Sequence, residues 1–444
     1  MQLHSTRNSE VRASWREAVL SGIAPDGGLY VPSLIPRISD ADILKLRGKP
    51  FAEVASHLAQ LFLGDEMDSR MIAQLCADSW DFEAPLHELD SSLHILELFH
   101  GPTCAFKDFG ARFMARLFKH FWGDSSTPLT VLVATSGDTG SAVANAFFDA
   151  TPSPTIKVAI LFPKDKVSEV QRKQMTTLGH NVTAFEVDGS FDDCQSLVKE
   201  ALQDRAARRE RAYTSANSIN IARLLPQMFY YAYATLQFPL EAPPTFVVPS
   251  GNLGNITGAI LAHMCGFRAC HCIAACNANS TLPDFLSTGV FEPRSSQETI
   301  SNAMDVGAPS NFFRINSLMG AATENTLIPP EDPKMQLLSA YTILDQATRD
   351  TMRVYHSRYS YVLDPHTAVG AAALDRFRQT HQEHAGAVVI AATAHPAKFS
   401  DVVESTLHLR PELPPQLAQV LCKPEHAIPL AAKYSALAKR LAAI

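Results

Sequence analysis

The sequence predicts an α/β protein in which a parallel sheet is covered by helices on both faces. Three observations carry that expectation. From about Leu93 onward, short continuous apolar runs alternate with segments of helical period, the pattern of β-α units whose strands are buried on both sides. Two of the runs end in nearly matching Gly-rich loops that lead straight into helices. With 444 residues, 46% hydrophobic and 19% charged, the chain has the composition of an ordinary globular protein and the length for two or three domains.

In chain order, the first 90 residues or so read as a module of their own. "PDGGLYVPSLIP" is a turn punctuated by Gly and Pro followed by a short strand, and "FAEVASHLAQLFL" has the spacing of an amphipathic helix. The candidate buried strands come next: "LHILELF", "TVLVAT", "IKVAILF", "NVTAFEV", "TFVVPS", "CHCIAA" and "AVVIAAT". Most of them are succeeded by a helical stretch. Proline-rich breaks at "FPLEAPPT", "LIPPEDP" and "ELPPQ" mark surface connections, the last introducing a short helical tail, "LAAKYSALAKRLAAI". The expected division is 1–90, 91–400 and a helical tail, 401–444.

A net charge of -7 and a pI near 6.1 argue against a nucleic acid or an anionic membrane as partner, since both favour basic surfaces. No apolar stretch is long enough to span a bilayer, and "MQLHSTRNSE" lacks the apolar core of a signal peptide. A cytoplasmic protein is expected. The eight cysteines include a cluster, Cys265, Cys270, Cys272 and Cys276, near His263 and His271. Paired CxxC spacing is missing and "ACHCIAAC" alternates like a buried strand, so core packing is expected there, not a metal.

Four places can carry chemistry. Lys107 stands in "FHGPTCAFKDFGARFM" between Phe106 and Phe109. It reads either as half of an exposed Lys107/Asp108 pair at a helix start, or as an amine in an apolar pocket whose depressed pKa lets it attack a carbonyl. Strand ends matter most in such sheets, because ligands sit beyond the carboxyl edge. "TVLVATSGDTGSAVANAF" presents Thr135, Ser136, Asp138 and Thr139; "TFVVPSGNLGNITGAILAHM" presents Gly251, Asn252, Leu253, Gly254 and Asn255. Both are plausible anion cradles and equally plausible well-made turns, and neither is a Walker or dinucleotide loop. In "TSANSINIARLLPQ", Asn217 and Ser218 precede a helix that carries Arg223, a planar donor suited to phosphate or carboxylate, although Asn or Ser there is first of all a cap. Thr393 ends the strand of "AVVIAATAHPAKF", where a hydroxyl can meet a ring nitrogen.

A reactive lysine, two anion loops and an Asn/Ser/Arg group suit pyridoxal 5'-phosphate. Its aldehyde condenses with a lysine, its phosphate takes N–H donors, and its ring nitrogen takes a polar partner. The strings "FHGPTCAFKDFGARF", "ATSGDTGSAVANAF", "SANSINIARLLPQ", "VPSGNLGN", "NAMDVGAPSN", "DPHTAVG" and "TAHPAKF", in this order, resemble the threonine synthases of bacterial and fungal type, and "GIAPDGGLYVP" is similar to their N-terminal domain. The resemblance covers nearly the whole chain. It implies a fold-type II, tryptophan synthase β-like enzyme: two parallel-rich sheets flanked by helices, the active site between two subdomains, and a small N-terminal domain.

The resemblance also implies roles. Lys107 would join the cofactor, Gly251, Asn252, Leu253, Gly254 and Asn255 would cradle its phosphate, and Thr393 would meet the pyridine nitrogen. Thr135, Ser136 and Thr139 would take the substrate carboxylate, with Asp138 near the ring hydroxyl, and Asn217, Ser218 and Arg223 would take the substrate phosphate. The implied reaction converts O-phospho-L-homoserine and water to L-threonine and phosphate. Lys107 would move the α and β protons, phosphate would leave the γ carbon, and water would add at the β carbon. Two departures stand out: Leu253 replaces a frequent Phe, and Asp138 stands where fold type II more broadly has Asn, placing an acid beside a ring oxygen that it would repel unless one of them is protonated, although the Asp form recurs in this branch of the threonine synthases. The alternatives are a serine or threonine dehydratase, which needs no substrate-phosphate site, and a non-catalytic α/β protein binding a phosphorylated metabolite. A monomer or small homo-oligomer is expected.

Overall fold

The computed structural model describes residues 1–444 apart from 124, 151–154, 205–210 and 382–385. A small antiparallel sheet opens the chain, with strands β1 (Leu3–Ser5), β2 (Arg12–Ala13) and β3 (Tyr30–Pro32) in the order β2-β1-β3. There follow β4 (Leu86–Asp90), β5 (Leu93–Glu97), β6 (Leu129–Ala134), β7 (Ile156–Pro163), β8 (Val182–Asp188), β9 (Ala212–Ser215), β10 (Thr245–Pro249), β11 (His271–Cys276), β12 (Leu338–Thr342), β13 (Val388–Ala392) and β14 (Ala427–Ala431). They form two further sheets. One runs β12-β11-β10-β13-β5-β4 and is parallel except for the β4/β5 hairpin. The other runs β14-β8-β7-β6-β9 and is parallel throughout.

All seven apolar runs are strands of these two sheets: β5, β6, β7, β8, β10, β11 and β13. Alternate side chains serve different cores. Val131 and Val133 of β6 join the largest cluster, whereas Leu132 and Ala134 join another on the opposite face. The largest cluster fills the space between the sheets with three buried helices, Lys107–Trp122, Ile221–Thr235 and Gly254–Met264. The N-terminal module shares that core. Phe51 of its Phe51–Leu63 helix meets Trp80, Phe109 and Tyr233 edge to face, each with ring centroids within 5.6 Å.

Differences from the sequence reading concern elements without an apolar run. "AYTS" (β9) and "LSAYT" (β12) are too short and polar to stand out. The region after residue 400, read as helical, holds helices at Ser400–Leu407, Pro415–Leu421 and Tyr434–Leu441 but also β14, "AIPLA", paired to β8. Its Pro429 suits an edge strand, where one side of the ladder needs no donor. Cys265, Cys272 and Cys276 are buried in the core as expected, while Cys270, just before β11, is exposed. No helix among the described residues is long and apolar enough to cross a membrane.

Candidate active site

One cavity lies between the two parallel sheets, at the carboxyl ends of β6, β9, β10 and β13. Parallel sheets leave strand-end loops and helix N-termini there, which is why ligands collect at that edge. Every site residue singled out in the sequence lines it: Lys107, Thr135, Ser136, Asp138, Thr139, Asn217, Ser218, Arg223, Gly251, Asn252, Leu253, Gly254, Asn255 and Thr393. No lining residue precedes Phe106.

Lys107 is the first residue of its helix, and Phe106 N–H is tied to Thr393 O at 2.9 Å. The side chain is 13% exposed, with Nζ 5.2 Å from the Phe106 ring centroid and 3.8 Å from Asp138 Oδ2. Burial drives the amine down to about 8, against the pull of Asp138. The exposed Lys107/Asp108 pair does not form. Asp108 is fully buried and accepts from Thr103 N–H at 2.8 Å and Thr103 Oγ1 at 2.6 Å.

Asp138 begins the helix Asp138–Ala150. Its Oδ1 accepts from Lys398 Nζ at 2.8 Å and Gln171 Nε2 at 2.9 Å. Burial alone would raise this carboxyl, but Lys398 and then Lys107 hold it well below the usual carboxylate range. Sequence reasoning gave Lys398 no role. The only signal for it was its place in "TAHPAKF".

The loop after β10 has the features of a phosphate cradle. Leu253 adopts φ 60°, a left-handed conformation costing about 1–2 kcal/mol for a residue with Cβ, and so turns the chain into the Gly254–Met264 helix. The first helical bond is Thr257 N–H to Leu253 O, and the N–H groups of residues 254–256 have no acceptor among the described residues. A Cβ on Gly251 would lie 2.7 Å from Met304 Cα, so only glycine fits. Asn255 Oδ1 accepts from Tyr230 OH at 2.6 Å and Tyr231 OH at 2.8 Å, which leaves its buried Nδ2 without a partner. Free N–H donors and no carboxylate in the loop are what a phosphate requires. At the far end, the Thr393 hydroxyl is likewise without a partner among the described residues; its N–H donates to Thr367 Oγ1 at 3.4 Å, and Thr367 Oγ1 donates to Asp364. A lysine amine, a phosphate cradle and a neutral hydroxyl thus fit pyridoxal phosphate.

The remaining wall offers places for a second ligand. Thr135 Oγ1 accepts from the N–H groups of Gly137 at 2.9 Å and Gly140 at 2.8 Å, folding the loop, while the Ser136 and Thr139 hydroxyls have no partner among the described residues. Asn217 holds Ala134 by both ends of its carboxamide, accepting from N–H at 3.1 Å and donating to O at 2.6 Å, so it clamps β6 to the turn after β9. The cap of the Ile221–Thr235 helix is Asn220 instead of Asn217 or Ser218. Ser218 Oγ accepts from Asn252 Nδ2 at 2.7 Å. Arg223 is 3% exposed; its Nη1 donates to Ala216 O at 2.6 Å, its Nε is unpartnered, and no carboxylate among the described residues lies within 4.0 Å of it. A buried cation with only the longer-range field of Asp108 to balance it has room for an anion.

Arg314, also passed over in the sequence, is fully buried and braces this wall. It donates to Tyr30 O, Ser218 O, Ile219 O and Asn311 Oδ1, all between 2.6 and 2.9 Å.

Comparison with known proteins agrees with this chemistry. A family profile described as "Pyridoxal-phosphate dependent enzyme" matches residues 82–393; profiles for the threonine synthase N terminus and C-terminal region match residues 2–80 and 367–440. Threonine synthase of Escherichia coli is 38% identical over 441 residues, covering 99% of both chains. Its crystal structure superposes with a TM-score of 0.90 at 37% identity over the full length of both. A PLP-bound threonine synthase from Brucella melitensis gives 0.90 at 32% identity over 99% of this chain and 98% of that one.

Proposed function

Because the chain belongs to the threonine synthase family of pyridoxal-phosphate-dependent enzymes, we propose that it converts O-phospho-L-homoserine and water to L-threonine and phosphate. Pyridoxal phosphate is its cofactor. When bound, that group supplies an aldehyde for amine capture and a ring that accepts electrons as protons leave neighbouring carbons.

The residues divide the work. The N–H groups of Gly251 to Asn255 hold the cofactor phosphate, and the Thr393 hydroxyl meets the ring nitrogen. A neutral hydroxyl there would supply no counter-charge to the ring, so charge stabilisation would fall to the surrounding site. Ser136, Thr139 and the N–H groups of their loop orient the substrate carboxylate, with Thr135 shaping the loop. Lys107 Nζ is the amine that would hold the cofactor and, once freed from it, would take the α and β protons of the substrate and return protons to release the product. Arg223 and Ser218 receive the substrate phosphate while Asn217 fixes their turn. A cytoplasmic setting is supported by the eight free thiols.

The observation that carries the choice of substrate is Arg223, a buried guanidinium lining the cavity with no carboxylate within 4.0 Å among the described residues. A dehydratase of serine or threonine has no phosphate to put there. Arg223→Met is expected to raise KM for O-phospho-L-homoserine at least about tenfold, the loss of one charge-assisted hydrogen bond. A KM equal to that of the unmodified enzyme contradicts the assignment.

A further inference from the structure

The carboxylate at the head of the cavity is shared by two lysines. Lys398, in the turn after β13, is 1% exposed, and its Nζ reaches Asp138 Oδ1 at 2.8 Å and Thr103 O at 2.9 Å. Gln171 Nε2 occupies the same oxygen at 2.9 Å. Among the described residues the carboxylate oxygen nearest Lys107 Nζ is the second one, Asp138 Oδ2, at 3.8 Å, beyond hydrogen-bond length. A fully buried ammonium costs several kcal/mol unless paired, so Lys398 takes Asp138 at hydrogen-bond length and Lys107 receives what attraction is left.

The surrounding charges sharpen the point. Lys107 is faced by Asp138, by Lys398 and, from the Ile221–Thr235 helix, by Arg223. Asp138 also feels His366 from the Pro365–Thr380 helix. Near Lys398 lie Asp108, whose oxygens are taken by Thr103, and the Cys104 thiol. Two lysines thus share the one carboxylate of Asp138. Of the two lysines, Lys107 is the more exposed and has the longer contact to Asp138, so the excess proton leaves from there.

We propose that Lys398 is a positioning residue for Lys107: by pairing with Asp138 it prevents that carboxylate from locking a proton on Lys107 Nζ, and so keeps the Lys107 amine free to attack a carbonyl carbon. The proposal rests on the reading of Lys107 as the lysine that joins the cofactor. Lys398 is thus the counter-ion that the buried Asp138 requires.

The test is the pH dependence with which the full chain, freed of cofactor, recombines with pyridoxal 5'-phosphate. In that reaction Nζ bonds to the aldehyde carbon and water leaves, so the initial rate, followed by violet absorbance between about pH 6 and 10, tracks the unprotonated amine. Borohydride trapping with peptide mapping locates the adduct. Lys398→Met is expected to move the midpoint up by about one unit or more, because Asp138 then serves Lys107 alone, while Lys398→Arg stays near the parent protein. Asp138→Asn is expected to move it down, since the two lysines then repel each other. Shifts of opposite sign are not what general damage produces. An unchanged midpoint in Lys398→Met overturns the proposal. If that variant does not fold, an unchanged or raised midpoint in Asp138→Asn overturns it instead. An adduct that never forms at Lys107 in the parent protein overturns the reading beneath it, and this proposal falls with it.

Discussion

Lys107 has a consequence for stability as well as for chemistry. Its amine is pushed down to about 8 from an ordinary 10.5. Between those values the unfolded chain holds a proton that the native protein has released, so native stability rises with pH across that window and the full penalty applies below it. In the absence of cofactor, Lys107→Met is therefore expected to be more stable than the parent at pH 7, by up to roughly 3 kcal/mol, with the advantage fading towards about pH 10.5. Urea denaturation at the two pH values measures this; an advantage independent of pH contradicts it. Of the two flanking aromatics that suggested an apolar pocket, Phe106 lines the cavity beside Lys107, whereas Phe109 turns into the core and packs edge to face on Phe51, Phe82 and Tyr230. The partners of Lys107 were not legible. Lys398 contacts Thr103 across 295 positions of sequence, and no local spacing encodes such a meeting.

Among the elements, the helices Ile221–Thr235 and Gly254–Met264 approach most tightly at Gly258, where a Cβ would fall 2.8 Å from the main-chain carbon of Gln227. Gly251 closes against Met304 in the same way. The two glycines serve different ends. Gly258→Ala is expected to cost about 1–3 kcal/mol of stability by separating two buried helices. Gly251→Ala is expected to weaken cofactor binding first, because it displaces the loop that holds the phosphate. Thermal melts with and without cofactor separate these outcomes: a Gly258→Ala protein as stable as the parent contradicts the first, and a Gly251→Ala protein with unchanged cofactor affinity contradicts the second. Element type was readable wherever burial produced a continuous apolar run or a 3.6-residue period. It was hidden in β9, β12 and β14, whose few residues are placed by pairing with neighbours.

At the scale of the molecule, the alternation of apolar runs and helices suggested a parallel sheet but could not divide the strands between two. Strands of either sheet have the same local pattern, and only non-local pairing sets β6 to β9 apart from β5, β10, β11 and β13. The threonine synthase resemblance implied the division into two sheets, and the cavity between them is where both Gly-rich loops and Lys107 converge. That convergence has one purpose in this account, the conversion of a phosphorylated amino acid. The most direct test gives purified holoenzyme O-phospho-L-homoserine, quantifies phosphate and identifies the amino-acid product, with Lys107→Ala in parallel. L-Threonine and phosphate in equal amounts from the parent protein alone is the predicted result; no threonine from a cofactor-loaded enzyme, or turnover that survives the loss of Lys107, would contradict it.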